Sequence, residues 1–188
     1  MTDHITRYDR MPIPPVEAQT TWFEAGAVRI GVEYRLLNDA IAAANEVIAA
    51  HGDSLAPDAE AANLAALNDR GVSLHVFSAG DGAAAQEFLR FDCFDEDPHY
   101  HYISWRAMSN EMLHLDPIAD GDPLAWALER IRTRLPQMLA RAGAADVAAR
   151  VDPDALERAL PRVAEAAYRA RYQSDAGAVL RSALGSAA

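Results

Sequence analysis

The chain has 188 residues and a mass of 20.4 kDa, one ordinary domain with room for a small appendage. Its apolar fraction is 51%, but 40 of the residues are Ala, so large apolar side chains are scarce. Every one of the 17 basic residues is Arg, the net charge is -11 and the pI is about 4.9. That charge argues against a general nucleic-acid binder, because such binding is driven by neutralising phosphates.

Disorder, collagen and a disulfide scaffold are also disfavoured, and a folded globular protein is left. The Ala and Arg bias is that of a GC-rich bacterial genome. Cys93 is the single cysteine, so no intrachain disulfide forms, which fits a cytoplasmic protein. Residues 1–15 carry Asp3, His4, Arg7, Asp9 and Arg10 and have no apolar centre of the signal-peptide kind. No apolar run reaches the roughly 18 residues of a membrane helix.

Taken in chain order, residues 1–18 read as an extended N-terminal arm, with Pro12, Pro14 and Pro15 against regular structure. Residues 28–36 alternate strictly: Val28, Ile30, Val32, Tyr34 and Leu36 on one side, Arg29, Gly31, Glu33 and Arg35 on the other. That period of two marks a half-buried strand. Trp22 to Glu24 fit a short hairpin partner before Ala25-Gly26. Asn38 or Asp39 caps an expected helix that stops near Gly52, and a second, Ala-rich helix is expected over residues 57–68. Three strand-like runs follow, at 72–78, 87–94 and 99–105, with a turn at Gly80-Asp-Gly82 between the first two. They read as an antiparallel meander.

Beyond Asp120-Gly-Asp-Pro123 the pattern turns helical. Asp122-Pro123 is a start signal, and Leu124, Leu128, Ile131, Leu135 and Met138 recur at helical spacing. Asp152-Pro153 starts another stripe through Leu156, Leu160, Val163 and Ala167. Pro161 is expected to kink or break that helix, with Val179, Leu180 and Leu184 on a short last one. The charge changes at the same place. Residues 1–121 carry 7 Arg against 20 acids, and residues 122–188 carry 10 Arg against 8.

The expected fold is therefore α+β: a small antiparallel sheet of about four strands, two inserted helices and a helical C-terminal section. The expected division is an arm at 1–18, a sheet domain at 19–121, and helices at 122–188 that pack on the sheet or on a partner.

One constellation carries chemistry. If the apolar sides of the strands face the core, the opposite face gathers Arg29, Glu33, Arg35, His75, Arg90, Asp92, His99 and His101. This grouping assumes no register slip, since one bulge changes which residues share a face. His99 and His101 are two apart on a strand, so their rings project side by side. With Asp92 they can form a two-His, one-carboxylate site for a divalent metal, Zn or Fe. The same group also suits acid–base chemistry or an anionic ligand held by Arg. Cys93 falls on the core side and reads as a buried thiol. His114 reads as a surface residue, and Trp105 and Trp126 as packing anchors.

No familiar catalytic motif accompanies these residues. The first expectation is a non-enzymatic accessory or binding protein that is cytoplasmic and homo-oligomeric. Its C-terminal helices would make the contacts, and its polar sheet face would hold a small anionic ligand or a partner. The alternative is a metal-dependent or acid–base enzyme centred on His99 and His101. Neither nucleic acid nor membrane is expected as a partner.

Overall fold

The computed structural model describes residues 5–8, 11–36, 69–80 and 85–185, with side-chain surroundings as far as residue 172. The two helices expected between residues 37 and 68 lie outside the described residues, as do positions 81 and 82 of the expected turn.

Among the described residues, seven strands form one antiparallel sheet. They are β1 (Ile5–Tyr8), β2 (Thr21–Ala25), β3 (Val28–Leu36), β4 (Arg70–Ser78), β5 (Glu87–Phe94), β6 (His99–Ser104) and β7 (Ser109–His114). Their spatial order is β1-β7-β6-β5-β4-β3-β2. Three helices follow: α1 (Pro123–Arg141), the short α2 (Ala145–Ala148) and α3 (Pro153–Gly185). The α+β class stands, but the expectation of about four strands is corrected to seven. The extra strands are those whose sequence hides the period of two. In β7, Ser109-Asn-Glu-Met-Leu-His114 is polar with a single adjacent apolar pair. In β1, Ile5-Thr-Arg-Tyr8 is an exposed edge strand with little to bury.

Register explains the two-faced sheet. Val28 opposes Ser78, Ile30 opposes Val76 and Val32 opposes Leu74, while Leu74 in turn opposes Phe91. One face thus presents Val28, Ile30, Val32, Leu74, Val76, Leu89, Phe91 and Cys93, all buried. Leu124, Ile131 and Leu135 of α1 and Leu156, Leu160 and Val163 of α3 join the same apolar cluster. Burying each such side chain stabilises the fold by roughly 1.5–3 kcal/mol.

Asp122 caps α1, its carboxylate accepting from the Ala125 amide at 2.7 Å, with Pro123 in the first turn. The expected break at Pro161 does not occur, and α3 runs unbroken to Gly185. Pro136 and Pro161 both sit on exposed positions. The carbonyls they leave unpaired belong to the exposed Arg132 and Glu157, on the solvent side of each helix.

The N-terminal segment is more than an arm. β1 lies at one edge of the sheet and β2 at the other, and residues 11–20 belong to the connection between them. They cross on the polar face, where the Val16 amide donates to Glu33 at 3.2 Å and Arg35 donates to the Pro14 carbonyl at 3.3 Å.

Candidate metal centre

The polar face is a grid. One row across the sheet reads Glu33, Ser73, Asp92, His99, His114; the next reads Gly31, His75, Arg90, His101, Met112. Glu33, Arg35, Ser73, His75, Glu87, Arg90, Asp92 and His101 are buried, and His99 is nearly so. Such groups tolerate burial only when paired, and two linked systems pair them.

The first is a line of polar groups with an arginine at each end and His75 between two carboxylates. Arg35 Nε lies 3.4 Å from Glu33, Glu33 lies 3.1 Å from His75 Nε2, and His75 Nδ1 lies 2.7 Å from Glu87. Glu87 then receives both forks of Arg90, at 2.9 and 2.6 Å. Both nitrogens of His75 face carboxylates, and both donate only when the ring carries two protons. Burial alone would raise the Glu87 carboxyl, but Arg90 and then His75 hold it down at about 2.

The second is centred on Asp92. The Ser73 hydroxyl donates to its Oδ1. Its Oδ2 faces His99 Nε2 at 3.4 Å and His101 Nε2 at 3.3 Å. The far side of each ring is already committed. His99 Nδ1 lies 2.7 Å from the Asp97 carbonyl, and His101 Nδ1 lies 2.8 Å from Asn110 Oδ1. With Nδ1 donating, a ring that carries a second proton donates Nε2–H to Asp92, and a ring that gives it up has its Nε2 lone pair free for a cation. Asp69 fixes the loop behind His99, its carboxylate accepting from the amides of Glu96 at 3.0 Å and Asp97 at 2.9 Å.

Burial opposes ionisation of Asp92, yet His101, His99 and Arg90 hold it well below the usual carboxylate range. Burial lowers His101, while at His99 Asp92 and Asp97 outweigh burial and raise it.

Three ligand atoms, one each from Asp92, His99 and His101, lie within 4.8 Å of one another. Zinc bonds of about 2.1 Å in a tetrahedron set neighbouring ligand atoms about 3.4 Å apart. The two distances to Asp92 match that edge. They are longer than the roughly 2.7–3.2 Å of a good hydrogen bond. The donors on Nδ1 and the hydroxyl on Oδ1 are the outer contacts that orient metal ligands. The residues present therefore fit a three-ligand site with one open position.

Seven of the eight residues grouped from sequence meet in these two systems. Arg29 shares the face but lies apart, its guanidinium 4.1 Å from the Trp22 ring centre and 5.3 Å from that of Phe77. His114 sits at the rim, bonded to Asp97 at 2.7 Å. Cys93 is buried on the core face, its Sγ 3.5 Å from the Pro123 carbonyl, and burial raises its thiol well above the ordinary value. Trp105 donates to the Glu87 carbonyl at 2.7 Å, and Trp126 packs edge-on to Phe91.

Sequence reasoning missed Glu87, Asn110 and Ser73. The register shifts between Val76 and Phe77, so that Phe77 opposes Glu87 rather than Phe88. The extra residue turns Glu87 onto the polar face beside His75 and Arg90. Asn110 lies on β7, which the pattern concealed. Ser73 was legible, since it lies two residues before His75.

Fold and site together define an α+β protein whose antiparallel sheet is apolar on its helix-covered face and carries a buried His, Asp, Glu and Arg network on the other. The chain belongs to the family described as a domain of unknown function, DUF7700, whose model matches residues 22–167. No curated protein and no solved structure matches it. Among the described residues, no helix is long and apolar enough to cross a membrane.

Proposed function

We propose that this protein holds a zinc-class divalent cation on Asp92, His99 and His101 and presents its open position to a small anionic ligand. One observation carries the reading. Both imidazoles are tethered through Nδ1, and both Nε2 atoms converge on one carboxylate oxygen at the edge length of a zinc tetrahedron.

Charge supports the anionic ligand. Along the face, Arg35 and Arg90 stand against Glu33, Glu87 and Asp92. A divalent cation turns that excess of one negative charge into one positive. The three-ligand count also favours an enzymatic reading, because catalytic zinc sites keep a position for water, whose pKa the metal lowers to about 7.

Metal analysis of untagged protein, with calorimetric titration of zinc and ferrous iron, tests the proposal. About one zinc per chain is expected, lost in His99→Ala, His101→Ala and Asp92→Ala. Cobalt-loaded protein should show the intense visible bands of a tetrahedral ion. Wild-type protein that takes up no zinc, or takes it up unchanged after His101→Ala, overturns the assignment. Preference for iron with octahedral spectra overturns the zinc geometry.

A further inference from the structure

A second site lies on the other side of β6. Tyr100 and Tyr102 point away from His99 and His101, toward α1, and with α1 they line a surface groove of about 340 Å³. Its other lining residues are Trp126, Arg130, Arg134, Gln137, Met138 and Arg141. Residues 130, 134, 137 and 141 recur every three or four positions, so they form one face of the helix.

The chemistry differs from that of three other depressions on this acidic molecule. Each of those includes a carboxylate: Glu129 and Glu157 in one, Glu165 in another, Asp146 in a third. The lining of this groove has none. Arg141 is pinned, its guanidinium 3.8 Å from the Tyr102 ring centre and one nitrogen 3.2 Å from Glu111. Arg130 lies 5.1 Å from the Trp126 ring centre, and neither it nor Arg134 has an ion-pair partner among the described residues. The Tyr100 and Trp126 rings, 5.1 Å apart between centres and tilted, form a half-exposed aromatic shelf beside these cations.

The geometry points to a binding site for a small phosphate-bearing molecule. Guanidinium forks match phosphate oxygens, and several forks share one phosphate. Contact with the Trp126 and Tyr102 rings holds Arg130 and Arg141 in place, which lowers the entropy lost on binding. The shelf offers a surface on which a planar group attached to the phosphate stacks. The volume lies at the lower end of small-molecule sites. The site is separate from the metal centre, because it is built on the opposite face of the sheet.

Calorimetric titration at low salt with pyrophosphate, ADP and citrate tests it. Saturable one-to-one binding of pyrophosphate and ADP is expected. It should weaken about tenfold or more in Arg130→Ala and Arg134→Ala. It should be unchanged in Arg132→Ala, whose side chain leaves α1 on another side to pair with Glu157 of α3. ADP binding more tightly than pyrophosphate assigns the shelf to a base, while equal affinities assign the site to phosphate alone. No saturable binding, citrate bound as tightly as pyrophosphate, or a loss that follows His101→Ala instead of Arg134→Ala overturns the assignment. The last outcome would place the anion at the metal centre.

Discussion

Glu87 accepts hydrogen bonds from His75 and both forks of Arg90 inside the protein. Its carboxyl titrates near 2 when folded, below the ordinary 4.5. A folded pKa below the unfolded one stabilises the fold at pH above the unfolded value. That contribution, on the order of 3 kcal/mol, is lost as pH falls from about 4.5 toward 2. Urea unfolding across that window should show the decline, and Glu87→Gln should flatten it while costing roughly 3 kcal/mol at neutral pH. An equally steep decline in the variant would place the acid sensitivity elsewhere. At the metal centre the outer contacts have their own signature. Asn110→Ala frees the His101 ring without removing a ligand, so zinc affinity should fall about 10- to 100-fold while stoichiometry holds. Titration against a chelator of known affinity measures the difference. Unchanged affinity would mean that the Asn110 contact does not orient the ring.

The strands position these residues, and their register decides which ones meet. Much of the candidate site was legible at this scale, because β3, β4, β5 and β6 each alternate and the alternation alone puts Glu33, His75, Asp92 and His101 on one face. Glu87 was not, because a bulge is one extra residue and leaves no mark in the pattern. β1 and β7 were not, because a short edge strand and a polar strand bury too little to show a period. The inner strands are also packed closely enough for a methyl group to matter. A Cβ at Gly71 would lie 2.3 Å from the Cys93 carbonyl oxygen and 2.7 Å from the Phe94 Cα. Those are backbone atoms of the central strand and cannot swing away. A Cβ at Gly31 would instead meet the side chains of Trp22 at 2.7 Å and Thr20 at 2.8 Å. Gly71→Ala should therefore cost about 3 kcal/mol or more, and Gly31→Ala less, roughly 1–3 kcal/mol. Denaturant midpoints at constant slope rank them, and the reverse order would contradict the packing described for β4 and β5.

At the scale of the whole molecule, the charge partition near residue 121 follows the architecture. The acidic part contains all seven strands and the buried ionic network, and the mildly basic part contains α1 to α3. The scarcity of large apolar residues does not leave the helices short of a surface to cover. Their stripes, Leu124, Ile131 and Leu135 with Leu156, Leu160 and Val163, are buried in one cluster with the sheet. Sheet and helices therefore depend on each other. A chain ending at Asp120 would expose Val28, Ile30, Leu74, Val76, Leu89 and Phe91 to water. At roughly 1.5–3 kcal/mol each, their lost burial is comparable to the whole 5–15 kcal/mol net stability of an ordinary domain. The ionic network on the opposite face cannot replace it, because buried ion pairs roughly offset their own desolvation. The truncated chain should show no cooperative thermal transition and should bind a hydrophobic dye, whereas the full chain melts as a unit. Calorimetry and dye fluorescence on the two chains distinguish these outcomes. A sharp, reversible transition in the fragment of residues 1–120 would mean that the sheet is held by its polar face and N-terminal crossing alone.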